Sequence, residues 1–175
     1  NPDFDLGIHI TLTSEWPSLK WRPILPSVEV TSIIDNKGYL LEDNDSLFKS
    51  FIAIEVEKEM RAQINRALGT GIDLTHIDVH MFTAFYSEEI LKIYIKLGNE
   101  YMLPVLLPKA KFAGYPNIKN QVLVDYLYMA RPEDYQNGLS NYYRTILKAL
   151  KPGLNCILIH PAFQNGQISD LYMNK

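Results

Sequence analysis

The chain has 175 residues, 47% of them hydrophobic, and a formal net charge of -3. That length fits one domain better than two and can bury a substantial core, which excludes a disordered or fibrous chain. No basic cluster stands out, so neither nucleic acid nor a membrane surface is an expected partner, and a small or neutral ligand fits better.

The single cysteine, Cys156, rules out an intrachain disulfide and a cysteine-based zinc cage. It reads as buried strand packing and suits a cytoplasmic setting. No apolar run approaches the roughly 20 residues that span a bilayer, and no signal peptide is visible. The chain opens at Asn1-Pro2 without an initiator methionine, from which we expect material to precede it.

Asp5 to Thr13 alternates Leu6, Ile8, Ile10 and Leu12 against Gly7, His9, Thr11 and Thr13, a strand pattern that sets His9 opposite the aliphatic face. Residues 14 to 38 carry Pro17, Pro23 and Pro26, both tryptophans and the turn signal Asp35-Asn36-Lys37-Gly38. They read as a long ordered loop, a type of segment that is usually functional. From Ser46 to Leu68 the apolar positions Phe48, Phe51, Ile52, Val56, Met60 and Ile64 follow helical spacing, with Gly69 and Gly71 beyond the end. A strand over Thr75 to His80 follows. Ser87-Glu88-Glu89 then offers an N-cap and an acidic first turn for a helix to about Tyr101.

Leu103 to Leu107 reads as a short buried strand, residues 108 to 120 as a loop, and Val122 to Met129 as a strand. Ser140 to Leu150 reads as a helix, and Asn155 to Ile159 as a last apolar strand. Strands alternating with helices predict parallel βαβ units. The expected fold is a single α/β domain over residues 1–175, as most of a (β/α) barrel or as an open doubly wound sheet. In both, ligands gather beyond the carboxyl ends of the strands, where His80 and His160 fall.

The chain has four histidines, His9, His76, His80 and His160, all in or at the ends of these apolar runs. Period-two alternation sets His76, Asp78 and His80 on one face, with the end imidazoles roughly 13 Å apart at about 3.3 Å per residue. Histidines from separate strands beside a carboxylate are what a divalent metal uses, so His9 and His80 are the candidate ligands. Asp78 is read either as a ligand or, preferably, as an acceptor that fixes the tautomer of a ligating histidine. His76 is read as a structural residue. A helical reading with His76 and His80 at i and i+4 lacks the glutamate of an H-E-x-x-H pair.

His160, held before Pro161 at a strand end, is the candidate general acid for protonating a leaving amine. Its bland reading is a strand terminator. Trp16 and Trp21 suit either sugar stacking or pinning of the loop. Arg22, Glu15 and the lysines near position 109 read as solvated surface.

At Gly7-Ile8-His9-Ile10-Thr11-Leu12-Thr13, Thr75-His76-Ile77-Asp78-Val79-His80 and Ile159-His160-Pro161-Ala162-Phe163 the chain resembles the YdjC-like carbohydrate deacetylases. That family includes a chitooligosaccharide deacetylase and a hopanoid-biosynthesis deacetylase. The resemblance spans about residues 5 to 165. It implies a distorted (β/α) barrel of the polysaccharide-deacetylase type and metal-dependent removal of N-acetyl groups from amino sugars or oligosaccharides. By the same resemblance a metal is bound at His9 and His80, and His160 is the acid; the family is associated with magnesium, while two histidines and one carboxylate suit zinc.

The family's first strand ends in an Asp-Asp pair that this chain lacks, and Asp3 and Asp5 do not replace it. A fragment incomplete at its N-terminus accounts for that better than a degenerate relative. The implied partner is an amino-sugar or oligosaccharide substrate, and a homodimer is left open. Two rivals stand beside the deacetylase: a catalytically inactive carbohydrate-binding or scaffold relative of the same fold, and a metallohydrolase acting on another amide or ester.

Overall fold

The structure, a computed structural model, describes residues 4–116, 118, 121–136 and 138–161. The expectations placed on Asn1, Pro2, Asp3, Ala162 and Phe163 therefore lie outside the described residues. Among the described residues the chain divides into two compact units, one up to Val105 and one from Leu106 to Pro161.

In the first unit, strand β1 (Leu6–Ile10) runs parallel to β2 (Leu74–Val79). The register sets Gly7 opposite His76, Ile8 opposite Ile77 and His9 opposite Asp78. Between the strands the chain forms two short 3-10 turns, Ser27–Glu29 and Thr31–Ile33, and then α1 (Asn44–Ser50) and α2 (Ala53–Leu68). Asp43 caps α1 by accepting the Ser46 N–H at 2.7 Å.

One continuous helix from Ser46 to Leu68 is thus corrected to two. The break at Phe51 and Ile52 is set by a residue distant in the chain: the Ile52 N–H donates to Ser32 Oγ at 2.9 Å, and the Ser50 hydroxyl donates to Ser32 O at 2.8 Å. A residue of the loop thus takes the donor that a continuous helix would use internally.

Beyond β2, α3 (Thr83–Tyr86) and α4 (Glu88–Glu100) complete the unit. Ser87 caps α4 by accepting the Ile90 N–H. Tyr94, fully buried, donates its hydroxyl to Ile77 O at 2.7 Å and so ties α4 to β2. Ile10, Leu12, Val30, Leu47, Val56 and Ile64 are fully buried in this unit's core.

The second unit pairs β3 (Leu106–Pro108) with β4 (Val122–Val124), and β5 (Tyr126–Met129) with β6 (Asn155–Leu158), both parallel. Helices α5 (Lys109–Phe112), α6 (Pro132–Gln136) and α7 (Leu139–Ala149) lie between them in the chain. The strand expected over Val122 to Met129 is two strands, because Asp125 leaves the ladder. Its backbone N–H donates to Leu154 O, its Oδ2 accepts the Leu154 N–H, and its Oδ1 accepts from Lys109 Nζ. Gly153, at φ +126°, makes room for this, since a Cβ there would lie 2.7 Å from Asp125 Oδ2. Two further corrections follow: α5 occupies what read as loop, and Cys156 is half-buried rather than buried.

All three strand pairs are parallel, as the alternation of strands and helices implies, but the described strands do not close into a barrel.

Candidate functional site

Parallel pairing of β1 and β2 puts His9 directly beside Asp78, and His9 Nδ1 lies 2.8 Å from Asp78 Oδ1. A carboxylate only accepts, so the ring N–H of His9 is at Nδ1. Two residues earlier, His76 packs against Gly7 and bonds Thr75 Oγ1 through Nδ1 at 2.9 Å.

β2 ends at Val79, and His80 is the first residue past it. Met81 and Phe82 then take positive φ angles of 51° and 53°, a left-handed conformation that costs a residue with a side chain roughly 1–2 kcal/mol. Side chains hold this turn in place. The buried Thr83 hydroxyl lies 2.9 Å from His80 O and 2.7 Å from Asn44 Oδ1, and Asn44 Nδ2 donates to Met81 O at 3.0 Å.

The turn brings His80 Nδ1 to 3.2 Å from His9 Nε2, with the two rings edge to face at 5.3 Å between centroids. On the far side of the ring, His80 Nε2 lies 2.8 and 3.0 Å from the two oxygens of Glu15. The result is a relay of four side chains, Asp78, His9, His80 and Glu15. Each carboxylate takes one ring N–H, and a neutral imidazole has only one to give. With both rings in the neutral form, the two nitrogens that face each other are lone pairs, which a shared cation would satisfy; a second proton on one ring would satisfy them as an N–H···N hydrogen bond.

Two imidazole nitrogens about 2.0–2.1 Å from one tetrahedral ion lie roughly 3.4 Å apart, so the observed 3.2 Å suits a shared ion. An outer carboxylate on each ring is the usual support of ligating histidines. The pair thus fits as two ligands of a metal. Among the described residues no group of three or more His, Cys, Asp or Glu side chains is arranged to hold one.

Glu15 is a residue that sequence reasoning missed, since it read as solvated surface. It is half-buried, its side chain 20% exposed. The segment before it is fixed from several sides. Ser14, fully buried, donates its N–H to Leu41 O, accepts the Trp21 N–H at Oγ and accepts Lys20 Nζ at its carbonyl. Trp21 Nε1 donates to Thr13 O at 2.8 Å, and its ring stands edge to face with His80 at 6.1 Å.

Helix α2 anchors both ends of this region. The fully buried Glu59 accepts the N–H groups of Ile24 and Leu25 and a Gln63 Nε2 hydrogen. Gln63 in turn bonds both backbone groups of Thr11. The available signal was a carboxylate and an amide four residues apart beside the apolar stripe of α2.

A cleft of about 550 Å³ opens beside the relay, with His9, His80, Trp21, Arg22 and Arg66 among its walls. The structure thus brings His9, Asp78 and His80 together. His160 lies in the second unit, exposed, past the end of β6.

Residues 1–174 match a family model described as YdjC-like protein. A carbohydrate deacetylase of Thermus thermophilus is 37% identical over 106 residues, 61% of this chain and 38% of that protein. One of Thermoanaerobacter pseudethanolicus is 27% identical over 97% of this chain and 64% of its own length, and one of Oceanobacillus iheyensis is 31% identical over 97% and 67%. The matched stretch thus spans from about two fifths to two thirds of these relatives. A crystallised protein of Enterococcus faecalis V583, assigned provisionally to cellobiose-phosphate cleavage, superposes with a TM-score of 0.78 at 23% identity. That match covers 97% of this chain and 65% of that one, and it shows a shared fold.

Proposed function

This chain belongs to the YdjC-like protein family, and from that premise we propose that the protein is a carbohydrate deacetylase, a metal-dependent hydrolase that removes N-acetyl groups from amino sugars or oligosaccharides. The observation that carries the reading is the pair of converging imidazole nitrogens of His9 and His80, 3.2 Å apart at the wall of an open cleft. The names of its relatives, carbohydrate deacetylases, support the substrate class. The three parallel strand pairs are compatible with a distorted (β/α) barrel, which we propose for the whole protein. No helix among the described residues is long and apolar enough to cross a membrane.

In this reading His9 Nε2 and His80 Nδ1 would hold a magnesium or zinc ion, and of two carboxylates outside the described residues one would complete its ligands and the other would serve as base. When bound, such an ion polarises the acetamide carbonyl and acidifies water. Asp78 keeps the His9 proton on Nδ1 and its Nε2 lone pair toward His80 Nδ1. Trp21 and Arg22 supply an amphipathic wall for a sugar. His160 is proposed as the donor of a proton to the departing nitrogen, on the strength of the H-P resemblance.

The test is acetate release from N-acetylated chitooligosaccharides by purified full-length protein, with magnesium or zinc added, alongside His9→Ala and His80→Ala. Either variant is expected to lose at least about 100-fold in activity, in line with the sensitivity of metal sites to their ligand environment. Carbohydrate binding without acetate release would favour the inactive relative instead. Unchanged activity in His80→Ala would remove His80 from the mechanism.

A further inference from the structure

Glu15 touches neither Nδ1 of His80, the nitrogen turned to His9, nor His9 itself. It meets the opposite side of the imidazole, with both oxygens at hydrogen-bond distance from Nε2. That contact decides two things at once. Rotating the ring by half a turn would exchange Nε2 for Cε1 and Nδ1 for Cδ2, which would leave the carboxylate against a C–H and present a carbon to His9. Moving the proton to Nδ1 would leave the carboxylate without a donor and close the lone pair that faces His9. Among the neutral forms of the ring, only one orientation and one tautomer satisfy Glu15.

The carboxylate is itself held ready. Ser14 is buried and bonded to Leu41, Trp21 and Lys20, and the Trp21 ring walls one side of the imidazole. His80 needs such support because it sits in a turn past the strand end, followed by two residues at positive φ, and not in a ladder that would aim it.

We propose that Glu15 is a positioning residue. It keeps His80 as the Nε2–H tautomer with Nδ1 turned to His9, and so makes the pair ready for a divalent cation. The second half of this statement rests on the metal-binding reading above; the first does not.

The test uses metal-free, ¹⁵N-labelled full-length protein. Two-bond ¹H–¹⁵N correlations assign the His80 tautomer, and calorimetric titration with zinc and with magnesium gives affinity. Wild type is expected to show Nε2–H at His80. Glu15→Gln, which retains an amide oxygen as acceptor, keeps that tautomer. Glu15→Ala mixes the tautomers and weakens cation binding about 10- to 100-fold. Glu15→Met, of similar length but without a comparable acceptor, serves the same purpose should the alanine variant not fold. His9→Ala lowers affinity yet leaves the His80 tautomer as in wild type.

A wild-type tautomer at His80 in both Glu15→Ala and Glu15→Met overturns the proposal. If the tautomer changes in those variants but wild type takes up neither ion, Glu15 retains its hold on His80 and the metal-binding reading falls.

Discussion

Gly7 and His76 compete for one volume between the paired strands: a Cβ built on Gly7 would lie 2.2 Å from His76 Nε2 and 2.5 Å from its Cδ2. The two residues are register partners of β1 and β2, and His9 lies two residues further along the same face. Gly7→Ala must therefore displace either the imidazole, held by Thr75, or the strand that carries His9. Such overpacking costs about 1–3 kcal/mol. Urea unfolding should register that loss, and the double variant with His76→Ala should recover most of it, because the two sites share one contact. Additive costs in the double variant would show that the contact is not what makes Gly7 necessary.

Glu59 is the buried post to which the loop before α1 is tied. Replacing it by leucine leaves the Ile24 and Leu25 amides and the Gln63 side chain without their acceptor. At about 1–3 kcal/mol for a lost partner of a buried polar group, we expect Glu59→Leu to lose about 2–4 kcal/mol in thermal unfolding. The loop carries Trp21, so its fluorescence should shift before global unfolding. Glu59→Gln, which keeps one acceptor oxygen, should lose less than half as much. Equal losses in the two variants would mean that volume, and not hydrogen bonding, sets the cost.

Acid stability draws on carboxylates held below their usual range, three of them mainly by a backbone N–H: Asp35 by Tyr39, Asp43 by Ser46 and Glu55 by Ser32. Their folded values lie below the unfolded ones, so their contribution is complete above the unfolded values, near pH 4, and is lost as pH falls through the lowered ones. Urea midpoints measured from pH 7 to pH 3 should therefore fall mainly below about pH 4. Glu55→Gln should flatten that fall while costing about 1 kcal/mol at neutral pH. An unchanged acid slope in the variant would exclude Glu55 as a contributor.

Hydrophobic periodicity determined the first two strands, the long amphipathic helix ahead of β2, the Ser87-capped helix and the last strand, because alternation and helical spacing are properties of neighbouring residues. It also aligned His9 and Asp78 as strand residues of opposite polarity to their aliphatic neighbours. The tertiary structure alone decided which residues meet. Glu15 and His80 are 65 positions apart, and nothing in the local pattern distinguishes a loop glutamate in water from one on an imidazole. The break at Ile52 depends on Ser32, 20 positions away, and the gap at Asp125 on Leu154, 29 positions away. Periodicity reports how much water each face of an element sees; hydrogen-bond partners are chosen by packing of distant segments, and that choice exists only once the chain has folded.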